Sequence, residues 1–158
     1  MRLLFAIAAI LVTMLPTLAR DYCANLGVAL DILQIQVGTP TSDAKITQTD
    51  RFQWDSIRNR NAMIDIIECR KLGGVRDADV PKAIDGLIIQ LRGTFTVEWA
   101  SAGLAIIGKP ALRAIPDLEA ALEREKTNGH SKSFNGPMTE RALISAVQRM
   151  KALQSLHD

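Results

Sequence analysis

The side chains of this chain that could carry chemistry are few: two cysteines, two histidines and one acidic group. The cysteines, Cys23 and Cys69, do not form the Cys-x-x-Cys pair that activates a thiol for redox catalysis. His130 lies in a polar linker, and His157 is one residue from the end. Zinc sites need more nitrogen or sulfur ligands than these residues supply. We therefore expect no catalytic residue, no metal and no other cofactor.

The acidic group consists of Asp77, Asp79 and Asp85. Calcium sites hold several oxygen ligands in a tight loop, usually with a glycine and a bidentate glutamate. Asp79 instead precedes Val80-Pro81, so we predict that it caps a helix and that Asp85 lies on the exposed face of that helix. The signature motifs of nucleophilic hydrolases, metalloproteases and phosphate- or dinucleotide-binding enzymes do not occur in the sequence.

The N-terminus has the layout of a secretory signal peptide, predicted over residues 1–19. Arg2 precedes an apolar run from Leu3 to Val12, and Thr17-Leu18-Ala19 places small residues before a cleavage point. The run is shorter than the roughly 20 apolar residues that cross a bilayer. Cleavage leaves residues 20–158 as a single domain. We expect an exported protein without a stable membrane anchor, with the periplasm favoured over the extracellular medium.

The overall charge excludes one class of partner. The chain of 158 residues has 19 Lys and Arg against 17 Asp and Glu, a formal net charge of +2. Nucleic-acid binding normally needs a strongly basic face, so we expect no nucleic-acid partner. With 47% apolar and 23% charged residues, the chain is also not of the disordered type.

Export also bears on the two cysteines. Oxidising compartments favour disulfides, and two cysteines allow a single bridge, between Cys23 and Cys69. Such a bridge would join the first predicted helix to the second. Two buried free thiols are the alternative that the sequence leaves open.

The spacing of apolar residues predicts six helices and no convincing strand, and therefore an all-α fold. Apolar side chains recur at three- and four-residue steps, which places them on one helix face. Asp21 and Asp50 are the predicted N-terminal caps of the first two helices, and a polar loop is expected over residues 39–49. The predicted helices span residues 21–37, 50–72, 79–91, 96–107, 114–126 and 138–153.

An internal repeat is the most specific feature of the sequence. The segment from Leu72 to Pro81 aligns without gaps onto Ile107 to Pro116, with a constant shift of 35 residues. In each copy a glycine, Gly73 or Gly108, ends one helix, and a proline opens the next. We expect the glycines to take the left-handed conformation and the two helices of each copy to form an antiparallel hairpin.

A period near 35 residues with two helices per unit is typical of helical solenoids. The segment 105–122, with Ile107-Gly108 ending one helix and Ile115-Pro116 opening the next, resembles a HEAT repeat of the short bacterial type. The resemblance covers residues 53–126, about half of the chain. It implies a short α-solenoid of two HEAT-like hairpins, with a capping helix at each end.

The resemblance also implies that the second helices of the hairpins form a concave surface that holds partner proteins. Exposed positions on that surface would come from the third and fifth predicted helices: Lys82, Asp85, Gln90, Asp117 and Glu119.

Basic residues between positions 51 and 76 indicate a second candidate surface. Arg58 and Arg60 form either a solvated helix face or a patch for an acidic protein partner or an anionic membrane surface. Trp54 and Trp99 are expected to close the ends of the core, and an exposed tryptophan would anchor an interface.

We therefore expect a non-enzymatic protein-binding module, with an inhibitor or immunity-type protein as the concrete case. The partner itself is not identified by the sequence, and the chain is expected as a monomer or a homodimer. One alternative is a small envelope enzyme whose acidic site combines Asp77 and Asp79 with Asp55 or Asp65. A structural dimer is the other alternative.

Overall fold

The computed structural model describes residues 21–35, 46–93, 95–127 and 136–156. Within these ranges the chain forms six α-helices and one 3-10 helix, with no strand, so the predicted all-α class is confirmed. The helices are α1 (Leu26–Leu33), α2 (Ile46–Lys71), α3 (Val80–Gln90), α4 (Val97–Ile107), the 3-10 helix (Lys109–Ala114), α5 (Ile115–Thr127) and α6 (Gly136–Gln154).

The starts of the first two helices differ from the prediction. The carboxylate of Asp21 accepts hydrogen bonds from the backbone N–H groups of Cys23 and Ala24, at 3.0 and 3.2 Å, but it caps a turn that precedes α1. Helix α2 begins at Ile46, so Asp50 lies inside it and the prediction of a cap there was wrong. Each residue added to an existing helix gains a backbone hydrogen bond, and polar residues can therefore extend a helix.

Alternate helices lie side by side in two rows. In the first row, α4 contacts α2 and α6. In the second row, α1 contacts α3, and two arginines link α3 to the region of α5. Arg113, just before α5, donates to Asp85 at 2.5 Å, and Arg124 donates to the backbone carbonyl of Leu91 at 2.5 Å. The HEAT-like solenoid itself stays a prediction.

The core fills the space between the rows, and α4 is its centre because α4 contacts α2, α3 and α6. Val97, Ala100 and Leu104 of α4 are completely buried, as is Leu87 of α3. Gly103 allows close approach here, since a Cβ at that position would lie 3.0 Å from a methyl carbon of Leu87. Burying one leucine side chain contributes roughly 1.5–3 kcal/mol, so each of these leucines is a substantial source of stability.

The two glycines of the internal repeat both have a positive φ, as predicted, but Gly108 has ψ −132° and so lies outside the left-handed helical region. Gly73 has φ +75° and Gly108 has φ +77°, and no other described residue has a positive φ. At the end of α2, Gly73 donates to the carbonyl of Arg70 at 3.0 Å, and Gly74 donates to that of Cys69 at 2.9 Å. This pair of bonds is a Schellman motif, which satisfies carbonyl groups at the end of the helix.

Candidate protein-binding surfaces

The two cysteines form the predicted disulfide. Cys23, in the turn before α1, is bridged to Cys69, near the end of α2, and their Cα atoms are 5.1 Å apart. Cys69 is completely buried. The bridge therefore fixes the start of α1 against the last turn of α2.

Gly74 packs directly on this disulfide. A Cβ atom at Gly74 would lie against the Sγ atom of Cys23 and 2.8 Å from that of Cys69, closer than carbon and sulfur approach in proteins. In many Schellman motifs an apolar side chain at this position contacts the last turn of the helix. Here the disulfide fills that space, and glycine is the residue that leaves room for it.

A cleft of about 280 Å³ beside the disulfide is bordered by an exposed ion pair. Arg76 donates to both carboxylate oxygens of Asp79, at 2.7 and 3.2 Å. The hydrogen bond from Arg76 holds the pKa of Asp79 below its ordinary value, and the same bond raises the pKa of Arg76. Asp79 stands at the N-cap position of α3 but makes no side-chain capping bond, because Arg76 binds its carboxylate. The prediction that this carboxylate caps the helix was therefore wrong.

The C-terminal end of α1 is held by a buried amide network. The side-chain amide of Gln90 donates to the backbone carbonyls of Leu33 and Ile35, at 3.1 and 2.9 Å. Asn59 donates to the side-chain oxygen of Gln90 at 3.0 Å. Gln90 is only 1% exposed, so the prediction that it belongs to an exposed binding surface was wrong. It is buried because the end of α1 lies over it and needs hydrogen-bond donors for its free carbonyls.

Exposed ion pairs across helices form what we name the charged strip: Asp31, Lys82, Asp85 and Arg113. Lys82 of α3 pairs with Asp31 of α1 at 2.5 Å, and Arg113 of the 3-10 helix pairs with Asp85 of α3 at 2.5 Å. The four side chains remain 47–72% exposed. Lys82 and Asp85 are thus exposed, as expected. The sequence gives no signal for Asp31 and Arg113, because their partners are 51 and 28 residues away.

A groove between α1 and α2, named here the α1–α2 groove, has a volume of about 370 Å³. Its walls combine apolar side chains with charges and amides: Val28, Ile32, Ile57, Arg58, Asn61 and Asp65. Val28 is 60% exposed and Ile57 40% exposed, so apolar surface faces solvent on both walls. Ile57 is therefore an apolar residue of α2 that the described part of the structure covers only partly.

The other predicted binding residues lie at separate places. Arg58 lines the α1–α2 groove and pairs with Asp55 at 3.2 Å, whereas Arg60 is exposed outside the groove. Trp99, at the start of α4, is 36% exposed. Trp54 belongs to α2, and its side chain lies outside the described part of the structure.

Of the two surface positions expected on α5, only one is fully exposed. Asp117 is half-buried, and Glu119 is exposed and pairs with Lys151 of α6 at 2.6 Å. His130 and His157 lie outside the described residues, as does the predicted signal peptide. Of the carboxylates in the acidic-site alternative, Asp79 is bound by Arg76 at the start of α3, away from the Asp55–Arg58 pair on α2.

A metal site, a membrane-spanning helix or a similarity to a known protein would each indicate a function directly. Among the described residues, no group of three or more His, Cys, Asp or Glu side chains is placed to hold a metal ion. The helices of the described ranges are all too short or too polar to cross a membrane. Comparisons with models of protein families, with curated proteins and with solved structures found no match to this chain.

Proposed function

We propose that this chain is an exported, non-enzymatic protein-binding module, and that it binds its partner protein through the charged strip. One observation carries the proposal: two ion pairs between neighbouring helices gather four exposed charged side chains on one surface. Binding costs free energy for immobilising long side chains, and each pair lowers that cost by a modest amount because it favours one arrangement in the free protein.

The charges of the strip indicate what the partner surface must offer. The strip carries two acidic and two basic side chains, and each base lies beside an acid. A partner therefore needs a matching surface of both signs rather than a uniformly acidic one. Charge matching of this kind determines orientation and specificity more than total affinity. Those properties suit an inhibitor or immunity-type protein that recognises one target.

The proposal that the chain is exported has two supports. The first is the signal-peptide pattern that begins with Arg2 and the apolar run after it. The second is the Cys23–Cys69 disulfide, since structural disulfides persist mainly in oxidising compartments.

Charge-swap variants test the binding surface while keeping each internal ion pair. The full chain is produced in a secreting host, immobilised and exposed to an extract of the cell envelope. In the test variant, Asp31→Lys and Lys82→Asp reverse the charges of one of the two ion pairs of the strip. In the matched control, Glu119→Lys and Lys151→Glu reverse an exposed pair outside the strip, whose members are 47% and 55% exposed.

The expected result is one stoichiometric partner captured by the wild-type chain and by the control, with at least about tenfold weaker binding to the test variant. Equal binding to all three proteins would place the partner on another surface. Failure of the wild-type chain to capture any partner across a range of salt concentrations would count against a binding module altogether.

A further inference from the structure

The α1–α2 groove has a charge pattern that is complementary to itself. On the α2 wall, Arg58 stands near one end and Asp65 follows seven residues later, a separation of about 10.5 Å along the helix. The residues midway between them are Asn61 and Ala62, which carry no charge. If a second α2 helix runs in the opposite direction along this wall, its cation faces the anion of the first.

A two-fold axis makes this match reciprocal. An axis that passes between Asn61 and Ala62 brings Arg58 of each copy opposite Asp65 of the other copy. In such an isologous interface every contact occurs twice, so the dimer contains two equivalent pairs of Arg58 with Asp65. A parallel arrangement would instead place like charges together.

The apolar surface of the groove fits the same arrangement. Val28 on the α1 wall and Ile57 on the α2 wall are 60% and 40% exposed, and a helix seated between the walls would cover both. By symmetry each α2 would contact α1 and α2 of the second copy, which gives a four-helix arrangement. Asn61, at the level of the proposed axis, is exposed and carries no charge, so it does not oppose the approach of the second helix.

We propose that the α1–α2 groove is the interface of a two-fold homodimer, in which the two α2 helices run antiparallel and Arg58 pairs with Asp65 of the second copy. The present partner of Arg58 is Asp55, one turn away at 3.2 Å, and both side chains are exposed. Exposed pairs of this kind are weak, so Arg58 can exchange Asp55 for a carboxylate in a less solvated interface.

The experiment measures self-association of the full chain, produced by secretion, purified without reductant and with its N-terminus identified by mass spectrometry. Sedimentation velocity is recorded over a range of concentrations up to about 1 mM. The variants are Arg58→Asp, the double variant Arg58→Asp with Asp65→Arg, and the matched control Arg60→Asp. The control makes the same charge change on the same helix, at an exposed residue outside the groove.

We expect a dimer for the wild-type chain and at least about tenfold weaker association for Arg58→Asp, since it places two anions opposite each other. The double variant should regain most of the association, and Arg60→Asp should leave it unchanged. A wild-type chain that stays monomeric overturns the proposal. Equal effects of Arg58→Asp and Arg60→Asp overturn it as well, because they would reflect net charge rather than pairing.

Asp65 is half-buried, so the double variant carries a risk of unfolding that circular dichroism would reveal. Asn61→Arg provides a second test, since Asn61 is exposed and lies beside the proposed axis. Two copies of Asn61→Arg would bring like charges together and should weaken the dimer at least about tenfold while the helix content stays unchanged. A dimer that tolerates this substitution is built on another surface.

Discussion

Replacing Gly74 by alanine should destabilise the protein only while the disulfide is present. The added Cβ atom would lie against the Sγ atom of Cys23 and 2.8 Å from that of Cys69. Gly74 does not have a positive φ, so alanine meets no conformational barrier of its own there. Any destabilisation by Gly74→Ala should therefore come from the two sulfur atoms.

Two magnitudes decide whether the effect can be measured. Overpacking of a close contact by one methyl group typically costs about 1–3 kcal/mol. The disulfide joins residues 46 positions apart, and chain entropy predicts that it contributes about 4 kcal/mol. A small domain has about 5–15 kcal/mol of stability in total, so the chain without its bridge should still fold.

Urea unfolding can separate the effect of the added methyl group from the stabilisation by the disulfide. The four proteins compared are the wild-type chain, Gly74→Ala, the double variant Cys23→Ala with Cys69→Ala, and the triple variant that combines all three substitutions. We expect Gly74→Ala to lower the free energy of unfolding by about 1–3 kcal/mol in the bridged chain. Without the sulfur atoms it should change that free energy by less than about 0.5 kcal/mol, a coupling that a double-mutant cycle reports directly.

Gly73→Ala is the matched control for this cycle. Gly73 has φ +75° and open space around the position of a Cβ atom, so its substitution strains the backbone rather than the packing. It should cost about 1 kcal/mol whether or not the bridge is present. If Gly74→Ala destabilises the bridged and unbridged chains equally, contact with the disulfide is not the reason for glycine at this position.

Three further changes test other parts of the structure. Gln90→Leu removes the two hydrogen bonds that the Gln90 amide donates to the end of α1 and should lower the free energy of unfolding by about 1–3 kcal/mol, measured by urea unfolding. Arg76→Ala should return the pKa of Asp79 towards its ordinary value, followed by the NMR shift of its carboxyl carbon. The stabilisation from this pair is present above the ordinary carboxyl pKa and is lost as the pH falls through the lowered pKa, so the variant should lose less stability on acidification. Leu87→Ala opens a cavity at a completely buried position and should cost about 2–5 kcal/mol in urea unfolding.

For each of these three predictions, a further measurement shows whether the stated cause is correct. Faster hydrogen exchange of the α1 amides should accompany Gln90→Leu, and unchanged exchange would mean that the amide network does not hold α1. An unchanged pKa of Asp79 in Arg76→Ala would place the cause elsewhere. Leu72→Ala, at a side chain that is 72% exposed, should change stability by less than about 0.5 kcal/mol, in contrast to Leu87→Ala.

The parts of the fold that depend on local sequence were predicted well. Gly73 and Gly108 could be recognised because a positive φ at a helix end favours glycine, which makes this backbone feature visible in the sequence. The buried faces of α3 and α4 followed from three- and four-residue spacing, since Leu87 and Leu104 are completely buried. Each of these features involves residues within one or two helical turns.

Features that depend on distant residues were missed. Gln90 looks like an exposed polar residue in its own helix, and it is buried because the carbonyl groups that it binds come from residues 55 and 57 positions earlier. Asp79 was expected to cap α3, but a neighbouring arginine competes for its carboxylate. The groove was missed for the same reason, because it forms only when α1 packs beside α2.

The disulfide also changes what a single break in the backbone can do. The chain between Cys23 and Cys69 forms a closed covalent ring, with 46 residues of sequence separation and both α1 and α2 on it. One protease cut anywhere within that ring leaves the two pieces covalently attached to each other. On a non-reducing gel a chain nicked once in the ring would still migrate as one species, and it would separate into two after reduction. A single cut in the ring therefore leaves α1 covalently attached to the rest of the chain, whereas the same cut in a chain without the disulfide would release it.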